Sequence, residues 1–165
     1  FVSGGAALED GRVAVLLSTA DLVAATRLGH ARLGALASSP GRRRVLLVDD
    51  SAVARETEAA LLRSLGYDVD EAADGEEGWR KLQRERVDLL LVDVQMPVLD
   101  GIGLTRRVKE SVSHDRLPIV ILSSFGAPEE RRRGVEAGAD AYVTKGDLEP
   151  ERFARLLDRL LGASR

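Results

Sequence analysis

The chain has 165 residues, of which 44% are hydrophobic and 31% charged, and its formal net charge is −3. This suits one globular domain of common size with a short additional segment, and the mild charge does not by itself indicate nucleic-acid binding. The absence of cysteine excludes disulfides and thiolate metal sites, and the sequence has neither an apolar run long enough to span a membrane nor the start of a signal peptide. We therefore expect a soluble, cytoplasmic protein, and the first residue, Phe1, indicates a fragment of a longer chain.

Residues 1–37 are predicted to form an appendage. An EDG turn precedes an apolar strand at residues 13–17, and the pattern from Thr19 onward is helical. These elements bury too little surface to fold alone, and the strand has no predicted partner within its own segment. Because exposed strand edges pair with other chains, we expect self-association through residues 1–40. Residues 38–44, SSPGRRR, have the composition of a linker, and we interpret the arginines as solvated rather than phosphate-binding.

After the linker, five β-rich runs alternate with helical patterns. The first, third and fourth runs are almost uniformly apolar, which is typical of parallel strands covered on both faces. The second run alternates and includes Asp68 and Asp70, which suits a strand at the edge of a sheet. The predicted strands span residues 44–49, 67–72, 87–93, 118–123 and 140–145.

The helical patterns carry start and stop signals. The first is predicted to end at Gly66 and the fourth at Gly138, while Asp74 and Glu77 predict a capping box at the start of the second. On the last helix four large apolar residues share one face, which predicts contact with the core: Phe153, Leu156, Leu157 and Leu160. Five strand–helix units are too few for an eight-stranded barrel, so we predict an α/β fold with a doubly wound, five-stranded parallel sheet in the order 2-1-3-4-5.

Polar residues stand at the carboxyl ends of four predicted strands. Asp49 and Asp50 end the first, Asp93 the third, Ser123 the fourth and Lys145 the fifth. In the predicted strand order these side chains meet at one edge of the sheet, the usual place for ligands in such folds. Three carboxylates without Cys or His describe a site for a hard cation, best matched by Mg²⁺, which relieves the repulsion between them. A hydroxyl and an ammonium beside such a site are suited to hold the oxygens of a phosphoryl group.

Four motifs together resemble the receiver domain of two-component response regulators, the CheY-like family: LLVDDS, LLLVDVQMPVLDG, ILSS and AGADAYVTK. The resemblance covers about residues 43–162 and implies a flavodoxin-like, CheY-like receiver domain at residues 45–162. It implies that Asp93 accepts a phosphoryl group from a phosphohistidine. It also implies a bound Mg²⁺ with four protein ligands: Asp49, Asp50, Asp93 and the backbone carbonyl of Gln95.

The resemblance assigns roles to further residues around the phosphoacceptor. Ser123 and Lys145 would bind the phosphoryl oxygens. Tyr142, three residues before Lys145, matches the aromatic switch position, which acts together with Ser123. Gln95 and Phe125 occupy positions that tune the reaction, and Phe125 places a bulky apolar group near the path of an attacking water. The receiver would then catalyse its own phosphorylation and dephosphorylation.

The chain departs from the family pattern after Lys145, where Gly146 replaces the proline that usually follows with a cis peptide bond. A cis bond before a residue other than proline costs about 3–4 kcal/mol, so a trans loop that places Lys145 differently stays open. This departure favours an alternative function, an unphosphorylated receiver that acts as a docking or inhibitory module. A phosphohydrolase is disfavoured, because Gln95 stands where such enzymes carry a second acid. The simplest alternative gives the first strand end no chemistry and makes Asp50 a helix cap.

Residues 1–37 resemble the C-terminal end of the CheW-like domain of CheA-type histidine kinases. Joined to the receiver, this resemblance implies the tail of a hybrid chemotaxis histidine kinase, with the phosphotransfer domain of that kinase as the phosphohistidine donor. A kinase or motility protein would dock on the face formed by the fourth helix, fifth strand and fifth helix of the receiver. We expect no nucleic acid and no membrane insertion, and a generic N-terminal segment is the alternative for these residues.

Overall fold

The computed structural model describes residues 5–7, 13–15 and 42–163, and the chain divides into two units, Phe1–Ser39 and Pro40–Arg165. In the first unit, strand β1 (Gly5–Ala7) pairs antiparallel with strand β2 (Val13–Val15). The prediction that the apolar strand has no partner within its own segment is therefore wrong, and with it falls the reason given for self-association. The remainder of the predicted strand, the predicted helix and residues 38–41 lie outside the described residues.

In the second unit, strands and helices alternate along residues 42–163. The strands are β3 (Arg44–Val48), β4 (Asp68–Ala72), β5 (Leu89–Asp93), β6 (Ile119–Ser123) and β7 (Ala141–Thr144). The helices are α1 (Ala52–Ser64), α2 (Gly75–Leu82), α3 (Gly101–Glu110), α4 (Pro128–Glu136) and α5 (Pro150–Ala163). All five strands are parallel, in the order β4-β3-β5-β6-β7, which confirms the predicted doubly wound sheet.

The helix boundaries follow the signals in the sequence. Asp74 accepts a hydrogen bond from the Glu77 amide at 2.7 Å, and the Glu77 carboxylate accepts one from the Ala73 amide at 2.8 Å, so α2 begins with the predicted capping box. Gly66 and Gly138 follow α1 and α4 with φ of 92° and 98°, in the left-handed region that glycine enters without strain.

Helices cover both faces of the sheet. Helices α1 and α5 pack on one face, and α2, α3 and the end of α4 pack on the other. On α5, Phe153 and Leu157 are buried while Leu156 and Leu160 pack at the margin of the same cluster, which confirms the predicted apolar stripe. Burial of such a side chain contributes about 1.5–3 kcal/mol. Among the described residues, no helix is both long and apolar enough to cross a bilayer.

Strand β4 forms one edge of the sheet, as its acidic residues predict. Arginines from the preceding linker and from α1 pair with these acids, so the linker arginines Arg42 and Arg44 are not simply solvated. The ion pairs join Arg42 to Asp68 (4.0 Å), Arg44 to Asp70 (3.5 Å), and both Arg55 and Arg63 to Glu71 (3.6 and 2.7 Å). The edge is therefore lined with paired charges.

Candidate functional site

The carboxyl ends of β3, β5, β6 and β7 bring the predicted site residues to one edge of the sheet. Asp93 pairs in register with Leu122 on β6, one residue before Ser123, and Ser123 pairs with Thr144 on β7, one residue before Lys145. Asp49 follows β3 directly. Asp49, Asp93 and Ser123 are at most 6% exposed. Parallel strands cannot avoid this convergence, because their carboxyl ends all lie on the same side of the sheet.

Asp49 and Asp93 are held in the same way. Each carboxylate accepts a hydrogen bond from the backbone amide two residues later, from Ser51 at 2.7 Å and from Gln95 at 2.7 Å. The second oxygen of each then contacts the ammonium of Lys145, which lies 2.6 Å from Asp93 Oδ1 and also donates to Asp49 Oδ2. The two aspartates therefore share one cation.

The Lys145–Gly146 peptide is trans, since no peptide bond in the described residues is cis. Lys145 begins a single 3₁₀ turn that ends at Asp147. The departure from the family pattern therefore does not move Lys145 away from Asp93, because its long side chain still reaches that carboxylate.

A buried glutamate on α1, Glu58, completes the surroundings of the ammonium. Its Oε1 lies 3.3 Å from Lys145 Nζ, and the residue is 6% exposed. Glu58 is not among the predicted site residues, although the sequence carries a signal for it. It stands four residues before the buried Leu62, so helical spacing puts it on the face of α1 that packs against the sheet. A charged residue at such a position is rare unless it is paired.

Burial and mutual attraction shift the protonation of these groups in opposite directions. Burial raises the pKa of Asp93, against the effect of Lys145 and of the Gln95 amide. Burial also raises the pKa of Glu58, the charge of Lys145 lowers it and the negative charge of Asp49 raises it, and the net result is a pKa of about 7. Burial alone would lower the pKa of Lys145, but its hydrogen bonds to Asp49 and Asp93 outweigh that effect and raise it, so the lysine is an ammonium ion.

The predicted metal ligands are of the right chemical type for a hard cation, but their side chains are not gathered around one point. Asp49 and Asp93 offer carboxylate oxygens, but Asp50 is exposed, and among residues 42–163 no three acidic or histidine side chains are close enough to hold one ion. One ammonium is shared between the two buried carboxylates, while Asp50 stays in solvent. Nor is Asp50 the helix cap of the simplest alternative, because α1 is capped by Ser51.

Ser123 and Tyr142 meet at a second glutamate, Glu130 on α4. The Ser123 hydroxyl and the Tyr142 phenol both donate to Glu130 Oε2, at 3.2 and 3.3 Å. The amide of the Gln95 side chain donates to the other oxygen of Glu130 at 3.2 Å. Three predicted positions are thus joined by Glu130, which is not among the predicted site residues because a contact across 35 residues has no local signal.

The loops around Asp93 differ in how tightly they are constrained. Phe125 is 78% exposed, and its amide donates to Ser123 Oγ at 3.3 Å. Asp100 caps α3 by accepting from the Gly103 amide at 2.6 Å. A Cβ at Gly101 would overlap the backbone oxygen of Asp93, so only glycine allows this loop to lie against Asp93.

Comparison of the sequence with known proteins identifies a family and a long relative. The sequence model of the response regulator receiver domain family matches residues 45–158. A gliding motility regulatory protein of Myxococcus xanthus is 53% identical over 160 residues, which is 97% of this chain. The chain spans about a fifth of the length of that protein, 20%.

Solved structures of similar fold include receiver domains from two signalling contexts. The receiver domain of a sensor histidine kinase from Pseudomonas aeruginosa, with a magnesium ion coordinated in its active site cleft, is 34% identical, with a TM-score of 0.69 over 74% of this chain and 99% of that one. The chemotaxis protein CheY4 of Vibrio cholerae is 33% identical, with a TM-score of 0.67 over 73% of this chain and 99% of that one.

Proposed function

The chain belongs to the response regulator receiver domain family, and from this premise we propose that it is a phosphorelay receiver in which Asp93 accepts a phosphoryl group from a phosphohistidine. The observation that supports this most directly is the contact between Lys145 Nζ and Asp93 Oδ1, at 2.6 Å, deep at the carboxyl edge of the sheet. An ammonium so close to a buried carboxylate can neutralise the charge of the oxygens that transfer brings there.

In the proposed reaction, an oxygen of Asp93 attacks phosphorus in line with the P–N bond of the donor. The new P–O bond forms as the P–N bond breaks, and the electron pair of that bond remains on the imidazole nitrogen, which takes up a proton. Lys145 and the Ser123 hydroxyl would then bind the oxygens of the transferred group. This division of labour is typical of phosphoryl transfer, where proteins contribute positioning and charge rather than covalent chemistry.

We propose that Asp49, Asp50, Asp93 and the backbone carbonyl of Gln95 hold Mg²⁺ in the working receiver. When bound, the ion supplies positive charge to the phosphoryl oxygens during transfer. For this ligand set to form, the exposed Asp50 must turn toward the site and Lys145 must give up part of its contact with Asp49. The carboxylate-only donors suit Mg²⁺ better than a softer metal.

The proposed signal leaves the site through Ser123. If its hydroxyl moves to the phosphoryl group, it leaves Glu130, and Tyr142 loses the neighbour with which it shares that carboxylate. The resulting change repacks α4, β7 and α5, the face on which we propose that a kinase or motility protein docks. Such a switch needs only a small difference in partner affinity between two arrangements.

We further propose that the chain regulates motility or chemotaxis, with a CheA-type kinase as the donor. The identity to a Myxococcus gliding motility regulatory protein extends over 97% of the chain and so includes the N-terminal unit. The alternative, an unphosphorylated docking module, was favoured only by the step from Lys145 to Gly146. It loses that support, because Lys145 contacts Asp93 even though the Lys145–Gly146 peptide is trans.

Incubation of the full chain with phosphoramidate and Mg²⁺, followed by intact-mass measurement, tests the proposal. We expect the mass of one phosphoryl group to be added, and Asp93→Asn to prevent the addition. Asp88→Asn is a matched control, because Asp88 precedes β5 and pairs with Arg43 at the opposite end of that strand. Equal labelling of Asp93→Asn and the wild type would refute the assignment of Asp93.

A further inference from the structure

Glu58 has no part in the proposed reaction, yet it is a buried carboxylate beside Lys145. It belongs to the buried face of α1, together with Ala59 and Leu62. Its Oε1 contacts the Lys145 ammonium at 3.3 Å, and its Oε2 is buried and has no hydrogen-bond partner among the described residues. A carboxylate buried with one oxygen unsatisfied weakens the fold, so its presence calls for a function.

Lys145 has three carboxylate partners, and they differ in whether they are also proposed to bind the metal ion. Asp49 and Asp93 are proposed ligands of Mg²⁺, whereas Glu58, on a different element, is not among those ligands. When the oxygens of Asp49 and Asp93 turn to an ion, their hold on the ammonium weakens. The contact between Glu58 and Lys145 can stay intact, because Glu58 does not bind the ion.

The loop that carries Lys145 offers little help in holding it. The 3₁₀ turn from Lys145 to Asp147 lacks a side-chain cap, and the turn contains Gly146 in place of a ring-constrained residue. A lysine side chain loses much rotamer entropy when it is fixed in one position. A partner on the rigid helix α1 can therefore matter more here than it would in a stiffer loop.

We propose that Glu58 is a positioning residue, which holds the Lys145 ammonium at the phosphoacceptor while a metal ion engages Asp49 and Asp93. This inference rests on the proposed function. A purely structural Glu58 would instead fill space on α1, and its replacement would change stability without changing the behaviour of Lys145.

The mobility of the Lys145 side chain tests the proposal without requiring phosphorylation. The sequence has three lysines, Lys81, Lys109 and Lys145, so ¹³C relaxation of their ε-methylenes is readily assigned by substitution. In the wild-type chain, Lys145 should stay ordered with and without Mg²⁺. In Glu58→Gln it should stay ordered without Mg²⁺, held by the two aspartates, and become mobile when Mg²⁺ is added.

Several outcomes would overturn the proposal. In Glu58→Gln, Lys145 could remain ordered in Mg²⁺, which would show that Glu58 is not needed to hold it. A mobile Lys145 in the wild type with Mg²⁺ would show that Glu58 does not hold it. A wild type that binds no Mg²⁺ would also overturn it, since Asp49 and Asp93 would then always hold the lysine. Glu56→Gln, an exposed change on the same helix, is the control and should leave Lys145 unchanged.

A double-mutant cycle adds a rate measurement with phosphoramidate at saturating Mg²⁺. We expect Glu58→Gln to slow phosphorylation about fivefold in the wild type, but less than about twofold in a Lys145→Ala background. Equal losses in the two backgrounds would mean that Glu58 does not act through Lys145. If the wild type takes up no phosphoryl group, the proposed function fails, and the relaxation measurement still decides the role of Glu58.

Discussion

Ser123 and Tyr142, from neighbouring strands, donate to the same carboxylate oxygen, Glu130 Oε2, at 3.2 and 3.3 Å. The serine is buried at the carboxyl edge of the sheet, and the tyrosine is half-buried against α4. Neither residue can change its hydrogen bond without altering the surroundings of the other. The link therefore offers a short physical route from the site to the face formed by α4, β7 and α5.

Removal of Glu130 should lower the pKa of Tyr142. Burial raises this pKa first, and the charge and hydrogen bond of Glu130 raise it further. The measurement is an absorbance titration of tyrosinate in a Tyr67→Phe background, which leaves Tyr142 as the single tyrosine. Glu129→Ala is the control, because Glu129 pairs with Arg132 at 2.6 Å instead. Identical titration curves for Glu130→Ala and its parent would contradict the prediction.

The metal-free protein should lose stability as the pH rises from about 5 to 7. The pKa of Glu58 is 4.5 when the chain is unfolded and about 7 when it is folded, where Lys145, Asp49 and Asp93 face it. Between these values the folded state binds more protons than the unfolded state, so the stabilisation present at low pH, at most about 3 kcal/mol, is lost as the pH rises.

Urea unfolding in EDTA at several pH values measures this effect. Glu58→Gln has no titrating group at position 58, so the free energy of unfolding of this variant should change less across the same pH range. It should exceed that of the wild type at pH 7 and above. Glu56→Gln, exposed on the same helix, should keep the wild-type slope. A slope unchanged by Glu58→Gln would assign the pH dependence to another group.

Asp50→Ala should separate metal binding from folding. Asp50 is exposed, so its loss should change the free energy of unfolding by less than about 0.5 kcal/mol. Asp50 is a proposed ligand, so its loss should weaken Mg²⁺ binding by at least about tenfold. Other metal sites lose about that much affinity when a group that only hydrogen-bonds to a metal ligand is removed. Calorimetric titration measures the affinity, with the exposed Asp115→Ala as control. Equal affinities in wild type and Asp50→Ala would place the ion elsewhere.

Gly101→Ala should destabilise the fold by about 1–3 kcal/mol or more, because the added methyl overlaps the backbone oxygen of Asp93 and backbone cannot move aside cheaply. Gly162→Ala makes the same chemical change at an exposed position of α5, where no atom lies within 4 Å of the added methyl group. It should stabilise the fold by about 0.5–1 kcal/mol. Urea unfolding compares the two. Similar losses from both would show that the clash is relieved by a loop movement.

Phe125→Ala should accelerate loss of the phosphoryl group several-fold, if Asp93 is phosphorylated as proposed. Phe125 is 78% exposed and lies two residues after Ser123, where we expect its ring to restrict the approach of water to the phosphoryl group. The decay of the added mass after removal of the donor gives the rate. Val112→Ala, which is also exposed but lies after α3, should decay at the wild-type rate. A slower decay in Phe125→Ala would mean that the ring assists hydrolysis.

The sequence predicted the sheet because the periodicity of the strands is unambiguous, and it predicted that Asp93 and Lys145 converge because parallel strands end on one side. Other features have no local signal. Glu58 required knowing which face of α1 meets the sheet, and Glu130 required the packing of α4 against β6. Strand β1, Gly5–Ala7, was missed because glycine and alanine have little preference for strands.

The charged edge at β4 also bears on how the protein behaves when copies crowd together. An open strand edge is a template for fibre growth, and β4 is an end of the five-stranded sheet. A second copy approaching this edge would bring Asp68 and Asp70 toward its own acids and would have to displace the arginines bound there. The same ion pairs that contribute little to folding therefore oppose aggregation from this side of the sheet.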